Sequence, residues 1–166
     1  MKYHLAQINI GRFKQEPGHP DNADFMAQLD RVNALAEASP GFVWRLTGDG
    51  SNNATDIRAF DDPMMALNMS VWESVEQLAA FAYRNMDHRS VMRRRREWFE
   101  ETPVYMALWW VPAGHIPTPE EGREKLELLA RLGPTPASFT FKQPFPPLSG
   151  NGDGGEAIAP VLDECA

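Results

Sequence analysis

The chain has 166 residues, a formal net charge of −7, 43% hydrophobic residues and 23% charged residues. This composition is ordinary for a globular protein, and the length suits one domain with or without a tail. The acidic balance disfavours nucleic-acid binding, which rests on cationic contacts to phosphate. The one cysteine, Cys165, excludes an intramolecular disulfide and a cysteine-based metal centre.

Two features set the expected location and extent of the folded part. No apolar run approaches the roughly 20 residues that span a bilayer, and the N-terminus lacks the apolar stretch of a signal peptide. We therefore expect a cytoplasmic protein that does not enter a membrane. A polar, glycine-rich stretch begins at Ser149, which predicts a folded domain over 1–148 and a flexible tail over 149–166.

Hydrophobic periodicity predicts four strands and four helical segments. Alternation places the strands at 3–10, 42–47, 66–72 and 103–111. Helical spacing places helices at 22–38, after Ser74, over 87–100 and from Pro119 to Gly133. The order β-α-β-β-α-β with an extra C-terminal helix predicts an α+β fold of the ferredoxin-like, split βαβ type with an antiparallel sheet.

Local signals fix several boundaries. Ser74 and Thr118 each precede a Gln or Glu by three residues, which is typical of a capping box at a helix start. Gly133 followed by proline ends the last helix. The segment 133–148 is rich in proline and carries Phe139, Phe141 and Phe145, so we expect it to pack on the domain surface.

The predicted strand 103–111 is apolar on both faces. Two crossover helices cover only one face of a sheet, and a large exposed apolar face usually marks an interface. We therefore expect a homodimer in which the uncovered sheet face packs on a second copy.

Four longer stretches are distinctive. They read NMSVWES over 68–74, YRNMDHRSVMRRRREWFE over 83–100, ALWWVPAGHIPTPEE over 107–121 and GPTPASFTFKQPFP over 133–146. Together, across residues 1–147, the chain resembles a bacterial family of unknown function in the dimeric α/β-barrel superfamily, beside the antibiotic-biosynthesis-monooxygenase-like proteins. The resemblance implies a ferredoxin-like protomer and a dimer, and no particular reaction. Related dimeric barrels include cofactor-free monooxygenases, haem enzymes, muconolactone-isomerase-like enzymes and stress-response proteins.

The predicted helix 87–100 carries the candidate catalytic residues. His88 and Arg95 lie on one side with the apolar Val91 and Met92 between them. One interpretation makes His88 a general base, or the axial metal ligand if haem is bound, and makes Arg95 the partner of an anionic substrate or a haem propionate. The other makes His88 a hydrogen-bonded boundary residue and Arg95 part of a solvated basic face.

Candidate ligand-binding residues come from the strands and from the same helix. Asn68, Ser70 and Trp72 form a polar and aromatic strand face, which orients a ligand or is satisfied by the loop above it. Met92 is predicted to form part of an apolar floor. Trp109 is a further candidate for the pocket wall, although strand aromatics more often belong to a core or an interface.

The run Arg93–Arg96 spreads around a helix, so it favours a salt-bridged surface rather than a nucleic-acid site.

The sequence observations together lead to two functional hypotheses. In the first, the protein is a monooxygenase-like oxidoreductase, cofactor-free or haem-dependent, acting on a small apolar or aromatic substrate. In the alternative, it is a non-enzymatic ligand-binding or stress-response homodimer.

Overall fold

A computed structural model describes residues 1–49, 53–55, 57–147 and 158. Its strands are β1 (Tyr3–Arg12), β2 (Phe42–Arg45), β3 (Met65–Trp72) and β4 (Met106–Pro112). Its helices are α1 (Ala23–Glu37), α2 (Val75–Ala79), α3 (Met86–Arg93), α4 (Arg95–Trp98) and α5 (Pro119–Leu132). A 3-10 turn (Pro20–Asn22) precedes α1, and a π turn (Ala80–Arg84) extends α2.

The four strands form one sheet in the order β2-β3-β1-β4, and each neighbouring pair is antiparallel. The two outer strands flank β1 and β3, as the split βαβ arrangement requires. The α+β, ferredoxin-like fold predicted from the sequence is thereby confirmed.

The predicted helix caps are also confirmed. The Ser74 hydroxyl accepts a hydrogen bond from the backbone N–H of Gln77 at 3.2 Å. The Thr118 hydroxyl accepts one from the N–H of Glu121 at 3.2 Å. Gly133 ends α5 with a φ of 71°, a conformation that favours glycine.

The helix predicted over 87–100 is interrupted at Arg94, which separates α3 from α4. The aromatic residues that follow explain the change of direction. Trp98 and Phe99 pack with Phe13 and Phe25 in a separate cluster, with ring centroids 4.6–5.8 Å apart. Burying these rings against the end of β1 fixes α4 independently of α3.

Helix α5 covers the sheet face that was expected to meet a second copy. Ile8 and Met69 are fully buried on that face, and Trp109 is 1% exposed. Gly122 of α5 lies so close that an added Cβ would stand 2.8 Å from Cδ1 of Ile8. We call this surface the α5 face. The argument for a dimer from an uncovered face is therefore wrong, and homodimerisation itself stays a prediction.

The segment 133–147 packs on the domain, as predicted. Phe139, Phe141 and Phe145 are buried. Leu108 and Phe139 exchange two backbone hydrogen bonds of 2.9 and 2.8 Å, so the segment covers the outer edge of β4. The predicted tail over 149–166 lies outside the described residues except for Ile158. In the part of the chain that the structure describes, no helix combines the length and apolarity needed to cross a bilayer.

Candidate functional site

A cavity of about 770 Å³ lies between the sheet and the helical layer. The sheet surface that lines it carries Gln7, Asn9, Asn68, Ser70 and Trp72, and we call this surface the cavity face. Helices α1 to α4 and the π turn supply the opposite wall. All but one of the predicted site residues line this cavity, namely Asn68, Ser70, Trp72, His88, Met92 and Arg95.

Trp109 is the exception and is corrected to a core residue. It belongs to the α5 face, where its Nε1–H donates to Oε1 of Glu121 at 2.9 Å. Adjacent residues of a strand point to opposite faces. The register of Trp109 opposite Ala6 therefore places its ring on the far side of the sheet from Asn68.

The polar side chains of the cavity face are bonded to one another. Nε2 of Gln7 donates to Oδ1 of Asn68 and to Oγ of Ser70, both at 2.9 Å. Nε1 of Trp72 also donates to Oγ of Ser70, at 2.8 Å. Ser70 thus accepts two bonds, and its own hydroxyl hydrogen remains available to a ligand. The bonds to Asn68 and Ser70 come from within the sheet, from Gln7 and Trp72, and not from the loop above.

Sequence reasoning missed Gln7 as a site residue. A neutral polar side chain in a strand otherwise rich in buried apolar residues was the available signal. Its meaning depends on the pairing of Gln7 with Ser70 across 63 residues of sequence, which the periodicity of a single strand does not reveal.

His88 is held in one tautomer. Its Nδ1 lies 2.8 Å from the carbonyl oxygen of Ala82 in the π turn. Because a carbonyl only accepts, Nδ1 carries the proton and Nε2 keeps its lone pair. The imidazole ring also packs on the Phe81 ring, with the two ring centroids 4.9 Å apart. Burial lowers the pKa of His88 below its ordinary value, so the imidazole is neutral near neutral pH.

Arg95 is a half-buried cation without a carboxylate partner among the described residues. Its Nη2 donates to the Ile10 carbonyl oxygen. Its guanidinium lies 4.4 Å from the ring centre of Tyr105 and 5.6 Å from that of Phe99. Burial lowers the pKa of Arg95, yet a guanidinium stays charged at physiological pH.

Arg94, by contrast, is not among the residues that line the cavity. It pairs with Asp24 at 2.5 Å and with Glu97 at 2.8 Å, which confirms a salt-bridged surface for this part of the basic run. Among the described residues no three His, Cys, Asp or Glu side chains stand together as metal ligands would.

Residues 4–152 match the family described as Domain of unknown function (DUF3291). The chain belongs to this family. The match spans most of the chain and confirms the family of unknown function that the sequence motifs indicated.

Several solved structures are similar to this DUF3291 chain. One is SnoaB, a cofactor-independent oxygenase from Streptomyces nogalater, at 15% identity and a TM-score of 0.45, covering 68% of this chain and 95% of SnoaB. A conserved protein from Methanosarcina mazei Go1 has 9% identity and a TM-score of 0.46, covering 65% of this chain and 90% of the Methanosarcina protein. Rv0793 from Mycobacterium tuberculosis has 13% identity and a TM-score of 0.45, covering 69% of this chain and 99% of Rv0793. No curated protein matches the chain significantly.

Proposed function

We propose that this DUF3291 protein binds a small, largely apolar or aromatic molecule in the cavity and oxidises it in a monooxygenase-like reaction. The observation that carries the proposal is the convergence of three polar elements on one apolar cavity. They are the hydrogen-bonded row of Asn68 and Ser70, a neutral imidazole at His88 and a guanidinium at Arg95. A large apolar cavity with a few convergent polar groups is the usual form of a ligand site.

The aromatic walls suit a flat ligand. Trp72 stacks on Phe81 with ring centroids 5.3 Å apart, and Phe81 in turn contacts His88. Trp72 is fully buried and supports Phe81 from behind, so a planar substrate packs on the Phe81 ring and gains dispersion and hydrophobic contact without ordering long side chains. The Ser70 hydroxyl then fixes its orientation through one hydrogen bond.

The polar groups support proton removal from such a substrate. A neutral imidazole accepts a proton at Nε2, and a base of this kind contributes about 10²–10⁴-fold to a rate. Donors at Ser70 and Asn68 stabilise the negative charge left on a substrate oxygen. In the cofactor-free form the substrate carbon supplies all four electrons that reduce O2. A methylene loses its two C–H bonds and becomes a carbonyl, so that one oxygen atom enters the product and the other leaves as water with the two hydrogens.

The same donor set is compatible with haem. The bond from Nδ1 of His88 to a backbone carbonyl is the support that metal-bound histidines use, and it leaves Nε2 for the iron. Arg95 would pair with a propionate. Haem, when bound, supplies the activation of O2; the chain's part is to hold and orient it.

A visible spectrum taken with and without added haemin separates the two forms of the proposal. A Soret band that is lost in His88→Ala and kept in His19→Ala, whose ring lies in an exposed loop, supports the haem form.

For a colourless protein, O2 uptake with anthrone, an aromatic ketone with an acidic methylene, tests the cofactor-free form. Anthraquinone formation that falls at least about 100-fold in His88→Ala is expected. Binding of aromatic probes without any oxidation would overturn the enzymatic proposal and favour the non-enzymatic alternative.

A further inference from the structure

The described charged residues that line the cavity have one sign. Among the described lining residues there are five arginines and one histidine, but no aspartate or glutamate. The chain as a whole has 23 acidic residues against 16 basic ones. The described lining of the cavity is therefore cationic, whereas the chain as a whole is acidic. The arginines are Arg45, Arg84, Arg89, Arg93 and Arg95.

Three of these arginines lie at the solvent edge of the cavity. Arg84 in the π turn and Arg89 and Arg93 on α3 are exposed, and none forms an ion pair with a described carboxylate. The neighbouring Arg94, which does not line the cavity, is bonded to two carboxylates. Among the described side chains of this segment, the arginine that is paired with carboxylates is thus one that does not line the cavity.

The interior arginines differ from one another. Arg45 is bonded to Glu37 at 2.7 Å, so its charge is compensated. Arg95 has the Ile10 carbonyl oxygen and two aromatic faces as its neighbours. A guanidinium has five N–H donors, and a partly buried cation is costly unless an anion or hydrogen bonds compensate it. Of these two arginines, Arg95 would therefore stabilise an anionic ligand group more.

We infer that the ligand of this cavity is an organic anion, namely a flat aromatic or apolar molecule whose acid group binds Arg95. Arg84, Arg89 and Arg93 attract it to the mouth, since charges of one sign around a cleft raise the local concentration of the opposite charge. This inference rests on the proposed ligand-binding function and narrows its substrate class to acids.

The aromatic walls and Arg95 make separate contributions. Phe81, supported by the buried Trp72, selects the ring system, and it does so for charged and neutral molecules alike. The guanidinium discriminates between an acid and its neutral counterpart by about 10- to 100-fold, as expected for a charge-assisted hydrogen bond in a partly desolvated site.

Two fluorescent probes with the same rings test this distinction. Anilinonaphthalene sulfonate is anionic, and phenylnaphthylamine is its neutral counterpart. We expect the wild-type protein to bind the sulfonate at least about 10-fold more tightly. Raising salt from about 50 mM to about 500 mM should weaken sulfonate binding and leave the neutral probe unchanged. Arg95→Met should abolish the preference while keeping neutral-probe affinity, and Arg96→Met, which removes an exposed arginine outside the cavity, should keep it.

The outcomes separate this inference from the function on which it rests. Equal affinity for both probes overturns the inference and leaves the ligand-binding function standing. Failure to bind either probe overturns both. A preference that survives Arg95→Met, or that falls equally in Arg96→Met, shows that the acid group lies elsewhere and overturns the assignment. If Arg95→Met does not fold, the wild-type preference and its salt dependence still decide the ligand's charge.

Discussion

His88 and Ala82 are joined by a hydrogen bond of 2.8 Å between the imidazole Nδ1 and a carbonyl oxygen of the π turn. A π turn inserts one extra residue into a helix and often marks a functional site. Here it connects the only histidine among the described cavity-lining residues to the backbone above the cavity. The orientation of the ring is therefore set by the main chain, independently of any ligand.

The depressed pKa of His88 predicts a pH dependence of stability. The unfolded chain takes up a proton as pH falls through the ordinary value of 6.5, whereas the buried imidazole resists protonation until lower pH. The unfolded state thus binds more protons in this window, and stability falls as pH decreases below about 6.5. Urea unfolding at about pH 7.5 and pH 5.5 should show a larger loss for wild type than for His88→Gln. An equal loss in both would contradict the assignment.

The packing of α5 on the sheet predicts a large effect at Gly122. An added side chain there meets Cδ1 of Ile8 at 2.8 Å and Cε of Met69 at 3.1 Å. Gly122→Leu should lower the free energy of unfolding by about 1–3 kcal/mol because the core is overpacked. Glu127→Leu, on the exposed side of the same helix, is the control and should change it little. Equal effects would show that α5 does not cover this face.

Signals within a few residues predicted much of the fold. The Ser74 and Thr118 caps, the Gly133 stop and the strand alternation each depend on neighbours in sequence, and the structure has all of them. Helical periodicity predicts that α5 forms, but it does not predict which face of the sheet α5 packs on. A helix was predicted at 119–132, yet its contact with Ile8 lies more than 100 residues away in sequence.

The candidate site divides in the same way. The spacing of His88 and Arg95 placed both on the cavity side despite the interruption at Arg94. The face on which Trp109 lies, and the bond from Gln7 to Ser70, depend on strand register, which only the folded sheet defines. Sequence reasoning therefore identified residues on single elements and missed the relationships between elements.

The two tryptophans should separate stability from binding. Trp109→Phe removes the bond to Glu121 and some buried surface on the α5 face. It should lower stability by about 1–3 kcal/mol and leave the affinity for phenylnaphthylamine unchanged. Trp72→Phe reduces the ring that supports Phe81 and removes the donor to Ser70, and it should weaken binding of the same probe. Denaturant unfolding and fluorescence titration measure the two effects, and weaker binding in Trp109→Phe would return this residue to the site.

The resemblance predicts a homodimer, and the structure restricts its interface. Because α5 covers the second sheet face, the two copies should meet through another surface, and α5 should stay packed on the sheet in the dimer. Sedimentation at micromolar concentration should show a dimer for wild type and for the exposed variant Glu127→Leu. A stable monomer would contradict the prediction.

Gln7 should be important to both the sheet and the ligand. Both bonds of its Nε2 go to Asn68 and Ser70, and the side chain is 6% exposed. Gln7→Met has similar volume but removes the donor of two hydrogen bonds, which should cost about 1–3 kcal/mol of stability. Asn68 then loses its fixed orientation and Ser70 keeps only the bond from Trp72, so the affinity for a polar aromatic ligand should fall. Gln7→Glu keeps the size and introduces a carboxylate next to the cavity, so it should reduce binding of anilinonaphthalene sulfonate more than binding of phenylnaphthylamine. Fluorescence titration of both variants with both probes measures this difference, and unchanged affinities would show that the polar row does not contact the ligand.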